Sequence, residues 1–169
     1  CSCIFADKIY QISNYLISQG VQSGNRVAIR SPNNAMAVAI WLAILRVGAI
    51  AVTTIPLQRA VELAKIIEIG QIQFALVDHR FVEEWAAIPN YSGKTLIVGG
   101  ENGVNKEVER QSKEFEVCDT AADDVSLFAF TSGSTGVPKA TMHFHRDILA
   151  IADTFSKEVV KPTKDDVFA

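Results

Sequence analysis

VAIRSPNNAMAVAIWLAILRVGAIAVT, residues 27–53, packs three structural signals into one stretch. Val27 to Arg30 is a short apolar run, and Ser31-Pro32-Asn33-Asn34 then supplies a turn and a possible helix N-cap. From Ala35 the chain is apolar as far as Val52 apart from Arg46 and the helix-weakening Gly48. Taken whole, that run raises the question of a membrane span, but a charge within it is costly and its alanine content suits a close-packed helix. No membrane span is expected. Dividing it at Gly48 gives a helix from Ala35 and a strand over Ala49 to Thr53, so the order is strand, helix, strand, the unit of a parallel sheet.

The alternation continues outward. Phe5, Ile9, Ile12 and Leu16 fall three or four apart, predicting an amphipathic helix between Ile4 and Gln19 with Gly20 as its cap, and Ser23-Gly24-Asn25 signals a turn. Between Arg59 and Ile69, Glu62, Lys65 and Glu68 mark one helical face and Ala60, Leu63, Ala64 and Ile67 the other, with Gly70 ending the helix. Ile72 to Val77 and Lys94 to Val98 read as strands separated by a helix around Phe81 to Ala87. Val125 to Phe130 and Ala140 to Phe144 are also strand-like. The expected fold class is α/β: a layered, largely parallel sheet flanked by helices. Residues 99–124 interrupt the pattern with eight acids, three bases and three glycines, and are expected to form a solvated charged connection with one short exposed helix.

A chain of 169 residues corresponds to one domain and can bury roughly 70% of its unfolded surface. With 49% hydrophobic and 21% charged residues it is neither disordered nor low-complexity. The net charge is -3, and the residues outside the acidic connection sum to only +2, too little for a dedicated nucleic-acid binder. Three cysteines, two of them at the terminus, define no disulfide framework, so a reducing, cytoplasmic location fits. The chain starts at Cys1 rather than Met and is expected to be a piece of a longer protein.

Chemistry concentrates in residues 131–139: Thr131, Ser132, Gly133, Ser134, Thr135, Gly136, Val137, Pro138 and Lys139. Gly133 and Gly136 allow positive φ and close backbone approach, the hydroxyls can donate to phosphate oxygens, and Lys139 adds positive charge. That inventory suits a polyphosphate; a Ser- and Gly-rich hairpin with no ligand is the alternative from composition alone. It is not a Walker A loop, because Pro138 stands where the second Gly would be and Ala140 follows the lysine. The segment also joins two predicted strands, so no helix dipole assists it.

Phe130 to Lys139, FTSGSTGVPK, resembles the phosphate-loop signature of the adenylate-forming superfamily, which includes acyl-CoA ligases, luciferases and peptide-synthetase adenylation domains. GVQSGNRVAIRSPNN (20–34) and LRVGAIAV (45–52) resemble early segments of the same superfamily in the same order, and Ala140 to Asp147, ATMHFHRD, looks most like ligases acting on benzoate or 2-aminobenzoate. Ala140 departs from the Gly usual after the loop lysine and leaves the anion donors untouched.

The resemblance implies that residues 1–169 are part of a large N-terminal domain, with a separate C-terminal domain absent. It implies an ATP-dependent carboxylate-CoA ligase that uses Mg2+, with ATP, coenzyme A and a small carboxylic acid as partners. A carboxylate would attack the ATP α-phosphate, and the CoA thiol would then displace AMP. Thr131, Ser132, Gly133, Ser134, Thr135 and Gly136 would hold the outer phosphates, with Lys139 assisting electrostatically. The superfamily's adenine pocket, magnesium-binding acid, acyl pocket and catalytic lysine are expected beyond Ala169, so this chain alone should be inactive. An amino-acid adenylation domain and a noncatalytic nucleotide-binding or interaction module are the alternatives. Exposed apolar surface on such a piece would favour self-association.

Other polar residues carry less. His143 and His145, expected on the same side of a strand, lack a third ligand, with Cys118 distant in sequence, so no metal site is assigned. His79 is expected in a solvated loop at a strand end, and Trp41 and Trp85 as packing residues.

Overall fold

The computed structural model describes residues 2–131 and 138–166. Six strands form one sheet in the order β4-β3-β1-β2-β5-β6, parallel throughout except for the antiparallel β6 at one edge. In chain order the elements are α1 (Ser2–Ser18), β1 (Arg26–Arg30), α2 (Ala35–Arg46), β2 (Ile50–Thr53), α3 (Ala60–Gly70) and β3 (Phe74–Asp78). A 3-10 turn (His79–Phe81), α4 (Val82–Ala86), β4 (Lys94–Val98), α5 (Asn105–Glu109), β5 (Val125–Thr131), β6 (Lys139–Phe144), α6 (His145–Ile151) and a π-helix (Ala152–Val160) complete it.

Period-two side-chain alternation splits the core between the two faces of the sheet. Val27 and Ile29 of β1 pack with Ile40 and Ile44 of α2 and Ile12 and Leu16 of α1. Ala28 points the other way, into a cluster with Leu63 and Ile66 of α3 and Trp85 of α4. Helices thus cover both faces, as a parallel sheet requires. Among the described residues no helix is long and apolar enough to cross a membrane; Ala35 to Thr53 is divided as expected. Asn34 is extended, and its side chain accepts from the Ala37 amide at 2.9 Å, which starts α2. Gly48 at φ +75° turns the chain out of it.

Three boundaries depart from expectation for local reasons. Helix α3 runs through Gly70, and the left-handed cap is Gln71 at φ +48°; a Cβ at Gly70 would lie 3.3 Å from the Ile72 side chain, a tight contact. After β3, the Asp78 carboxylate accepts from the Arg80 amide at 3.1 Å and draws the chain into the 3-10 turn before α4. His145 is the first residue of α6, so it does not share a strand face with His143.

Residues 99–124 are not simply solvated. Gln11 of α1 donates its side-chain amide to the carbonyls of Glu109 (2.8 Å) and Gln111 (3.2 Å), and Asn14, one turn on, does the same to Ser112 (3.0 Å) and Glu114 (2.9 Å). Val108 of α5 is buried and Phe115 packs on the same cluster. The Cys118 amide bonds to Arg46 O at 2.9 Å, bringing the connection back beside α2 before it enters β5.

Candidate functional site

β5 lies beside β2, with Ala51 opposite Leu127 and Thr53 opposite Ala129, so Thr131 ends at the same edge of the sheet as Arg30, Thr53 and Asp78. That is the carboxyl edge of the parallel strands, where open α/β sheets bind ligands. β6 returns antiparallel, with Phe130 opposite Ala140 and Thr131 opposite Lys139. The loop therefore joins two strands, as the sequence suggested, and both of its described end residues are exposed. Ser132, Gly133, Ser134, Thr135 and Gly136 lie outside the described residues.

Hydroxyls brace the ladder below that loop. Ser126, fully buried, donates to His143 O at 3.0 Å beside the register irregularity at Val125–Leu127, and Thr141 donates to Ala129 O at 3.1 Å. His143 Nε2 is 3.3 Å from the Thr141 hydroxyl, on the exposed side of β6. At the far end of β6 the Asp147 carboxylate accepts from the Phe144 amide at 2.8 Å, and Arg146 pairs with Asp123. Ser126 and Thr141 gave no signal in the sequence, because a bracing hydroxyl is legible only once strands are in register.

At the same edge Arg30, 1% exposed, donates to the carbonyls of Ile55 (3.2 Å), Pro56 (3.2 Å) and Gln58 (2.9 Å) and lies 5.5 Å from the centre of the Phe81 ring. Burial pushes its guanidinium pKa down, and the charge of Glu84 pushes it back up. It gathers the β2–α3 and β3–α4 connections around a cleft of about 410 Å³, whose rim carries Arg59, Arg80 and Glu84. Arg59 pairs with Glu84 at 3.2 Å, and Arg80 meets both oxygens of Asp78, at 2.8 and 2.9 Å. The Arg80 hydrogen bond is the foremost cause holding the Asp78 carboxyl below its usual range. A charge closing an otherwise apolar strand was the available signal for Arg30.

Of the other residues considered, Trp85 is buried, donates to the Thr95 hydroxyl at 3.1 Å and meets Tyr91 edge-on at 5.4 Å. Trp41 packs partly buried against the α1–α2 cluster. His79 sits at the end of β3, half exposed, 3.5 Å from Asp78. Among the described residues no three His, Cys, Asp or Glu side chains converge as a metal site would need, and Cys3 and Cys118 are free thiols.

The architecture is that of an open, mostly parallel α/β sheet carrying a hydroxyl- and glycine-rich loop at its carboxyl edge. The chain belongs to the AMP-binding enzyme family, which matches it over residues 5–169. The 3-hydroxybenzoate–CoA/4-hydroxybenzoate–CoA ligase of Thauera aromatica is 29% identical over 160 residues, covering 88% of this chain and 30% of that protein. An uncharacterized acyl–CoA ligase of Bacillus subtilis is 27% identical over 139 residues, 80% of this chain and 26% of that one. Among solved structures, an anthranilate CoA ligase in complex with anthranoyl-AMP superimposes with a TM-score of 0.84 at 23% identity, over 92% of this chain and 32% of that one. The chain thus spans 26–30% of the length of these curated relatives.

Proposed function

We propose that this chain is the nucleotide-phosphate-binding part of an ATP-dependent carboxylate-CoA ligase, a cytoplasmic enzyme whose acid is an aryl carboxylate such as benzoate or 2-aminobenzoate. What carries the reading is the family membership together with a loop of that family's phosphate-binding composition held between Thr131 and Lys139 at the carboxyl edge of the sheet. A carboxylate oxygen of the acid attacks the ATP α-phosphorus and forms a mixed anhydride. The bond to the bridging oxygen breaks, and pyrophosphate leaves. Charge builds on the departing phosphates, so fixed donors from the Thr131 to Gly136 stretch lower that barrier, and Lys139 adds long-range attraction. The CoA sulfur then attacks the acyl carbon and AMP departs with the electron pair of the anhydride C–O bond.

ATP enters as its magnesium complex, and no residue of this chain is assigned to the ion. Residues 1–169 are read as part of the large N-terminal domain, with the remaining groups supplied by further polypeptide, so the chain alone is expected to bind magnesium-ATP without turnover. Support for the aryl acid comes from the ATMHFHRD segment after the loop and from the benzoate–CoA ligase of Thauera aromatica, 32% identical over 68 residues, 40% of this chain and 13% of that one.

The test is acid-dependent exchange of labelled pyrophosphate into ATP by the complete protein, followed by CoA-thioester detection. Exchange with benzoate or 2-aminobenzoate and thioester formation support the reading. Exchange driven only by an amino acid, with no thioester, would make it an amino-acid adenylation domain, and binding of ATP with no exchange for any acid would make it a noncatalytic module.

A further inference from the structure

Given residues 131–139 as the phosphate site proposed above, we infer that Ser126 is a positioning residue for that site: its buried hydroxyl closes a β-bulge that sets β6 in register against β5 and so decides which residues flank the loop. Below the bulge Val125 stands opposite Phe144, and the His145 amide donates to Asp124 O at 3.1 Å. Above it Leu127 stands opposite His143, and that register is kept through Phe130 opposite Ala140 to Thr131 opposite Lys139. The two halves are out of step by one residue, and Ser126 is the extra one. A bulge leaves its extra residue outside the ladder, and where water is excluded the protein itself has to supply the missing partner. Ser126 is fully buried and its hydroxyl donates to His143 O at 3.0 Å, tying the extra residue to the opposite strand.

Without the bulge the lower register would run on to the loop. Ser126 would face His143, Phe130 would face Lys139, and Thr131 would be left opposite Pro138, which has no N–H to give the ladder. β5 is held on its other side by β2, with Ala51 opposite Leu127 and Thr53 opposite Ala129, so the strand that slips is β6. A slip of one residue turns its side chains to the opposite face of the sheet and carries the Thr141 hydroxyl away from Ala129 O, which it reaches at 3.1 Å in the observed register. Thr131 and Lys139 would no longer be partners at the mouth of the loop. Donors placed for a phosphate in one register are misplaced in the other, and hydrogen bonds to an anion tolerate only a few tenths of an ångström.

Acid-dependent pyrophosphate exchange and deuterium uptake, both measured on the complete protein, test this. Ser126→Ala removes one oxygen and should raise KM for magnesium-ATP roughly fivefold, leave KM for the acid within about twofold, and speed exchange of the β6 amides. Ser126→Cys, of similar shape with a weak donor, should fall between the two. Ser13→Ala is the control: Ser13 is equally buried and donates to Ile9 O at 2.9 Å within α1, so its loss should weaken the fold without moving the ATP KM or the β6 amides. An unchanged ATP KM with unchanged β6 exchange in Ser126→Ala, an equal rise in KM for the acid, or the same changes in Ser13→Ala would each overturn the positioning role. No pyrophosphate exchange by the unaltered protein would remove the ligase reading instead, and magnesium-ATP affinity by calorimetry together with β6 deuterium uptake would still decide what Ser126 does.

Discussion

Thr131 and Lys139 are partners on the last rung of the β5–β6 ladder, so both ends of the loop between them are held by one antiparallel pair. Anchoring of this kind makes a loop's ends less costly to order when a ligand arrives. Thr131→Ala should weaken magnesium-ATP or pyrophosphate binding by roughly tenfold, the loss of one hydrogen bond to a charged group, about 1.5 kcal/mol. Lys139→Ala should weaken it less and make the residual affinity less dependent on salt. Titration followed by amide NMR shifts at Gly133 and Gly136 reads both; a folded spectrum unmoved by either ligand would remove the phosphate assignment.

Gln11 and Asn14 hold the acidic connection through four side-chain amide contacts to backbone carbonyls. Replacing both by Ala should cost about 1–2 kcal/mol in total and raise deuterium exchange over residues 108–116 while leaving β1 and β3 protected. Uniform loss of protection across the sheet would show that the connection is integral to the core rather than clipped to it.

Arg30 is a buried cation whose partners are carbonyls rather than a carboxylate. Arg30→Met fills much of the volume but leaves those carbonyls without their donor, and should destabilise the fold by about 2–4 kcal/mol in urea titrations, with NMR shifts concentrated at residues 55–58 and Phe81. Arg30→Lys should recover part of the stability, because a point charge cannot span three acceptors. Equal stability of all three proteins would exclude the scaffold role.

Asp78 has its carboxyl pKa lowered in the folded state, first by Arg80. A depressed folded value means that its stabilisation is complete above the unfolded carboxylate pKa of about 3.9 and is lost as pH falls through the folded one. Asp78→Ala also removes the cap on Arg80, so at pH 7 the variant should be about 1–2 kcal/mol less stable. The gap should hold from pH 7 to about pH 4 and narrow below it, as measured by urea unfolding at each pH. A gap that widens on acidification would contradict the sign of the shift.

Much of the architecture could be read from residues 27–53, because short apolar runs, a polar turn with Asn34 and the glycine at 48 are local signals. The β4 limits at Lys94 and Val98 coincide with the expected strand. Where reading failed, the cause was a distant partner for residues 99–124 and a local side-chain cap at His145. Gln11 and Asn14 lie about 100 positions before the carbonyls they hold, and their periodicity marked only the polar side of α1. His145 looked like a continuation of β6 until the Asp147 carboxylate accepted the Phe144 amide and turned the chain into a helix.

Residue type and order in this protein determine the alternation of strands and helices, the family, and the hydroxyl- and glycine-rich composition of residues 131–139, since each depends on spacing along the chain or on the chemistry of single side chains. Tertiary structure alone decides that β3 crosses beside β1, that Thr131 shares an edge with Arg30 and Asp78, and that the acidic connection folds back onto α1. Those outcomes depend on pairing between strands remote in sequence and on the burial of opposite faces of one sheet. The choice of which strands pair leaves no periodic trace along the chain.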